Sequence, residues 1–108
     1  AMSPMGTDMT GFALNGRDIV RADGALRLAD GTLAGADLTM IDALSYMHRT
    51  IGLDLDEALR MAALYPAQAI GLADTIGHLG SGAMASMVHL SDDLGVEGVW
   101  VEGEKVVA

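Results

Sequence analysis

Three dipeptides that readily take positive φ, Asn15-Gly16, Asp23-Gly24 and Asp30-Gly31, cut the opening of this chain into apolar stretches too short to be helices. Between them lie Phe12-Ala13-Leu14, Ile19-Val20, Leu26 and Leu28, so residues 12 to 28 are expected to form two or three short antiparallel strands. Asp30-Gly31 is expected to end this meander and lead into a loop, Thr32-Leu33-Ala34-Gly35-Ala36-Asp37. Ahead of the strands, residues 1 to 10 are rich in Met, Ser, Pro, Gly and Thr without either period and read as a loop.

After residue 37 the apolar period becomes helical. Leu38, Ile41, Leu44 and Met47 or His48 share a face, with Thr39 available as N-cap and Gly52 beyond the end, which predicts a helix over 39–50. Asp54 followed three positions later by Glu57 has the form of a capping box and opens a helix over 55–64. Pro66 suits the first turn of a third, short helix ending at Ile70 and Gly71. Glycines 77, 80 and 82 then mark turns, and Met87–Leu90, Gly98–Val101 and Lys105–Val107 read as strands, the last two joined at Glu102-Gly103. The order strands, helices, strands makes the chain α+β, with both strand regions expected in one sheet system closed around the helices.

Composition excludes several classes of partner. Fifteen acidic against six basic residues leave a net charge of -9, and Arg17, Arg21, Arg27, Arg49, Arg60 and Lys105 never cluster. Neither a nucleic-acid backbone nor an anionic membrane would be attracted. The absence of cysteine removes disulfides and thiolate metal sites, and no apolar run is long enough for a bilayer. A soluble, cytoplasmic protein is expected.

The residues alone yield no catalytic set. His48, His78 and His89 lack the His-x-His or His-x-x-x-His spacing that aims two imidazoles at one metal, so they read as structural. No Gly-x-Ser-x-Gly elbow surrounds Ser3, Ser45, Ser81, Ser86 or Ser91. The carboxylate pairs Asp54/Asp56 and Asp92/Asp93 fit a helix cap and a turn better than acid–base work. Gly77-His78-Leu79-Gly80-Ser81-Gly82 lacks the lysine and helix of a phosphate loop and reads as a turn. Gly31-Thr32-Leu33-Ala34-Gly35 has small residues that let a polar ligand approach the backbone, although a plain connection explains the same composition. Met2, Met5 and Met9 are too few to define an adaptable contact surface.

Taken in order, Gly31-Thr32-Leu33-Ala34-Gly35, Leu38-Thr39-Met40, Glu57-Ala58-Leu59-Arg60-Met61-Ala62, Tyr65-Pro66-Ala67, Ile76-Gly77-His78-Leu79 and Val99-Trp100-Val101-Glu102-Gly103 resemble the C-terminal region of the N-acetylglucosamine-6-phosphate deacetylases, within the amidohydrolases. The resemblance implies the end of a metal-dependent (β/α)8 barrel plus strands of a small β-sandwich. Residues 1–38 would be a loop near the active site, short strands and the substrate loop; 39–75 the last barrel helices; and 76–108 the sandwich strands. Leu33, Ala34 and Gly35 match the family loop that contacts the sugar through its backbone.

The family's catalytic aspartate precedes a Met-, Pro- and Gly-containing loop, so it is expected immediately before Ala1; Asp8 does not occupy that position. The divalent metal, zinc or iron, and the sugar phosphate would be held by residues outside this chain. Further implied partners are an amino-sugar phosphate, the rest of the parent polypeptide and other copies of that parent in a homo-oligomer. The chain by itself is expected to be inactive. One departure is Gly82-Ala83-Met84-Ala85-Ser86, where amidohydrolases commonly carry Gly-Lys-x-Ala-Asp. Two other readings are an amidohydrolase acting on a cyclic amide or other N-acyl compound, and a non-catalytic interaction module.

Overall fold

The protein is described by a computed structural model covering residues 2–107; Ala1, and the aspartate expected ahead of it, lie outside the described residues. The chain divides into two compact units between Ala43 and Leu44.

In the first unit, β1 (Gly11–Leu14), β2 (Arg17–Ala22), β3 (Ala25–Leu28) and β4 (Leu33–Ala36) form an antiparallel meander in the order β1-β2-β3-β4. Two of its connections are two-residue turns, Leu14 facing Arg17 and Ala22 facing Ala25. Asn15 (φ 51°) with Gly16 (φ 73°), and Asp23 (φ 52°) with Gly24 (φ 72°), take the doubly left-handed backbone that matches strand twist. The expected loop 32–37 is instead mostly a strand. Asp30 and Gly31 turn the chain rather than end the sheet: Asp30 Oδ1 accepts from the Thr32 N–H at 2.9 Å, and the Leu28 N–H donates to the Thr32 carbonyl at 2.9 Å. Phe12, Ile19 and Leu28 align across the first three strands, and Arg21, Leu26 and Gly35 across the last three. These rows share one face, on which Ile19 and Leu26 are buried.

The helical region departs from a single helix over 39–50. α1 (Met40–Ser45) passes into a π-helical segment, Tyr46–Thr50, with the Ile51 N–H donating to the Tyr46 carbonyl five residues back. Thr39 is the cap, in a reciprocal arrangement: the Asp42 N–H reaches Thr39 Oγ1 and the Thr39 N–H reaches Asp42 Oδ2, each at 3.2 Å.

In the second unit, α2 (Leu55–Ala62) begins at Asp54, which accepts from the Asp56 N–H at 2.9 Å. The capping box expected there does not form. Glu57 turns outward to Arg60 and Tyr65, whose O–H donates at 2.8 Å. α3 (Leu64–Ala69) starts two residues earlier than expected, placing Pro66 inside its first turn. It ends in a Schellman arrangement around Gly71 (φ 73°), with Leu72 N–H donating to the Ala67 carbonyl and Gly71 N–H to the Gln68 carbonyl. The unit closes with β5 (Met87–Leu90), β6 (Val96–Val101) and β7 (Glu104–Val107) in a second antiparallel sheet. The strand regions therefore form two sheets, not the expected single system. Trp100 lies across Gly98, where an added methyl would stand 2.7 Å from the indole ring, and the Lys105 ammonium sits 5.2 Å from the ring centroid.

Candidate functional site

Leu33, Ala34 and Gly35 lie on β4, the edge strand of the first sheet. Leu26 pairs with Gly35 and Arg27 with Leu33, which leaves Ala34 as the extra residue of a bulge. An edge strand directs alternate N–H and C=O groups away from its neighbour, so this segment presents backbone donors and acceptors in a fixed row. Leu33 is 62% exposed, while Ala34 and Gly35 are half-buried.

The segment before the sheet folds onto β4. A methyl group at Gly35 would stand 2.7 Å from the Met2 sulfur, so the absence of a side chain lets the thioether lie over the strand. Turns fix the rest: the Met5 N–H donates to the Met2 carbonyl, and both the N–H and the Oγ1 of Thr7 donate to the Pro4 carbonyl, at 3.1 and 2.8 Å. Pro4 is fully buried.

Arg21 joins this segment to Asp37, the residue that follows β4. Its Nε donates to Asp37 Oδ2 at 2.7 Å and its Nη1 to the Thr7 carbonyl at 2.6 Å, with a longer contact of 3.5 Å to the Met9 carbonyl. The hydrogen bond to Asp37 raises the guanidinium pKa against the opposing cost of burial, so the charge is permanent. Asp37 is itself held by its N–H to the Gly24 carbonyl at 3.2 Å.

The three histidines are occupied separately. His48 Nδ1 lies 2.8 Å from the Leu53 carbonyl, His78 Nδ1 accepts from the Gly80 N–H at 2.9 Å, and His89 Nδ1 is 3.4 Å from Glu97 Oε2. No group of three or more His, Asp or Glu side chains placed to hold a metal occurs among the described residues. This donor set does not fit a zinc or iron site. Asp54 is a helix cap, and Asp93, fully exposed, lies 3.8 Å from Arg49 Nη2. Gly77 (φ 86°) packs against α3, with an added methyl 2.9 Å from the Ala67 Cβ; close packing therefore accounts for this glycine. Shallow depressions of about 360 and 390 Å³ lie at His89–Asp93 and Glu97 and at Arg17, Asp18 and Leu28–Asp30, neither including Leu33–Gly35. Among the described residues, no helix is long and apolar enough to cross a membrane.

The model of the amidohydrolase family matches residues 3–106. The chain belongs to the amidohydrolase family. N-acetylgalactosamine-6-phosphate deacetylase of Shewanella sp. (strain ANA-3) is 38% identical over 104 residues, 96% of this chain and 26% of the relative. The crystal structure of N-acetylglucosamine-6-phosphate deacetylase from Pasteurella multocida matches 100% of this amidohydrolase chain and 28% of its own, with 34% identity and a TM-score of 0.86. A variant of the Mycobacterium smegmatis N-acetyl-D-glucosamine-6-phosphate deacetylase, solved in complex with N-acetyl-D-glucosamine-6-phosphate, matches 100% of the chain and 29% of its own at 35% identity and a TM-score of 0.78. The chain thus spans about a quarter of the length of these amidohydrolase relatives.

Sequence reasoning from the residues did not find the Arg21–Asp37 pair, whose members stand 16 positions apart. Its one local signal was an arginine alternating with Ile19 on a strand whose partner row contains Leu26. The departure at Gly82–Ser86 has a local counterpart: Ser86 Oγ accepts from the Glu102 N–H at 3.1 Å and the Ala85 carbonyl from the Gly103 N–H at 2.7 Å. These bonds hold the β6–β7 turn.

Proposed function

We propose that this chain is the C-terminal part of a deacetylase that hydrolyses the acetamide of N-acetylglucosamine 6-phosphate to glucosamine 6-phosphate and acetate. The observation that carries the reading is the likeness over the whole chain to amino-sugar 6-phosphate deacetylases, with 34% identity to the Pasteurella multocida enzyme. The backbone of Leu33, Ala34 and Gly35 then faces the sugar, where a rigid edge strand can match hydroxyl groups without ordering a loop on binding. The segment Met2–Gly6 matches the family loop that follows the catalytic aspartate, and that aspartate passes the proton to the departing amine.

Residues 39–75 close a (β/α)8 barrel and residues 76–108 contribute strands to a β-sandwich completed by other parts of the polypeptide. Zinc or iron belongs to residues outside this chain, as do the groups that hold the phosphate. The intact enzyme works in the cytoplasm as a homo-oligomer.

A second reading, N-acetylgalactosamine 6-phosphate as substrate, is favoured by the 38% identity to the Shewanella relative. Acetate release from both sugar phosphates by the full-length, metal-loaded polypeptide tests the two together. A higher kcat/KM for the glucosamine compound supports the first, and the reverse order supports the second. Turnover of neither, with hydrolysis of a cyclic amide instead, overturns both.

A further inference from the structure

We infer that Arg21 is a positioning residue for deacetylation, fixing the segment Met2–Met9 against the substrate strand β4; the inference rests on the reading that β4 faces the sugar and that this segment continues from the catalytic aspartate.

The segment is fastened to β4 at two points. Near Gly35 the fastening is the Met2 thioether, a soft, apolar contact that tolerates sliding. Two residues further on, past the end of β4, it is the Arg21 fork, with Asp37 on one branch and the Thr7 carbonyl on the other. A planar guanidinium holds two acceptors at a fixed separation and angle, which a flexible ammonium does not. Arg21 is itself anchored, since its N–H donates to the Thr10 carbonyl at 2.8 Å and its strand is paired on both sides. Side-chain exposures of 25% for Arg21 and 20% for Asp37 mean that water competes weakly for the pair. On that reading, the register of the segment that continues from the aspartate depends on Arg21 as well as on the softer Met2 contact.

Such a role separates from simple stabilisation in the kinetics. Arg21→Met in the full-length enzyme leaves the edge of β4 able to bind sugar, so KM stays within about threefold, while misregister of the acid lowers kcat by about ten- to a hundredfold. Arg21→Lys satisfies one acceptor at a time and falls between wild type and Arg21→Met. Asp37→Asn retains the bonds to Thr7 and Met9, lowers kcat less, and adds nothing further in the double variant because both changes open the same link.

The experiment is steady-state deacetylation of both amino-sugar phosphates by wild type, these three variants and the double variant, well below each melting temperature. Smaller falls in kcat for Arg21→Lys and Asp37→Asn than for Arg21→Met, with the double variant equal to Arg21→Met and KM nearly constant, support the inference. A kcat within twofold of wild type in folded Arg21→Met, or a loss equal to the fraction unfolded, overturns it and leaves the deacetylase reading standing. If Arg21→Met does not fold, an Asp37→Asn enzyme with wild-type kcat overturns it equally. A wild-type enzyme that releases no acetate from either sugar overturns the reading and the inference together.

Discussion

Gly77 shows how one residue reports two separate constraints. Its φ of 86° is costly for any side chain, and a methyl there would also meet Ala67 Cβ at 2.9 Å, the Ala63 carbonyl at 3.0 Å and Leu64 Cα at 3.1 Å. Gly82, at φ 89°, has nothing within 4 Å. Gly77→Ala is therefore expected to cost about 2–4 kcal/mol, combining backbone strain with overpacking, and Gly82→Ala about 1 kcal/mol from strain alone. Denaturant midpoints of the full-length variants separate the two, and equal midpoints would contradict the packing account. Glu57 carries a pH dependence. Hydrogen bonds from Tyr65 and then Arg60 hold its carboxyl below the ordinary glutamate value. The unfolded chain binds the proton more readily, so the stabilisation is present above the ordinary value and is lost as pH falls through the folded one. Melting temperature is expected to fall less steeply on acidification for Glu57→Gln than for wild type, whereas parallel profiles would show that the Tyr65 contact has no weight in solution. Asp30, held low by the Thr32 N–H, acts in the same direction and remains as background in both proteins.

The cap of α1 belongs to the scale of elements, because a helix of six residues cannot persist on propensity. Thr39 and Asp42 each accept a backbone N–H from the other. Thr39→Ala is expected to cost about 1 kcal/mol, and Asp54→Ala, which removes the single bond at α2, no more than that; urea melts of the full-length variants check the order. Local chemistry explains which elements were legible. Thr39 and the Xaa-Gly turns act on their immediate neighbours, so the hairpins at Asn15-Gly16, Asp23-Gly24 and Glu102-Gly103 could be read directly. β4 could not, since Leu33-Ala34-Gly35-Ala36 has no β-branched or aromatic residue and becomes a strand through pairing with β3. The π-helical segment Tyr46–Thr50 has the same apolar spacing as an α-helix. At the candidate site, Gly31–Gly35 stood out by its small residues and Leu33–Gly35 by resemblance, while placement on a sheet edge and the Arg21 link depend on contacts between distant residues.

At the scale of the whole molecule, what remains uncovered is as informative as what is buried. The apolar side chains buried among the described residues are Pro4, Ile19, Leu26, Leu44, Ala58, Ala67 and Leu94, two of them alanines. Against this thin core stand Val88, Val101 and Val107 at 55, 49 and 49% exposure, from all three strands of the second sheet, with Val99 paired to both Val88 and Val107. A valine face of this kind is covered in a stable protein. The isolated 108-residue chain is therefore expected to associate and to show no deacetylase activity. Its net charge of -9 opposes association, so the average mass by sedimentation should rise with salt as repulsion is screened, opposite to the trend of an ion-paired complex. Val88→Lys puts charge on that face and should return the isolated chain toward monomer. A full-length protein that covers this face would bury an unpaired ammonium on the same change, and its melting temperature should then fall by several degrees. A wild-type isolated chain that stays monomeric at high salt and melts cooperatively would instead identify an autonomous module, and detectable turnover by that chain would place the catalytic groups within it.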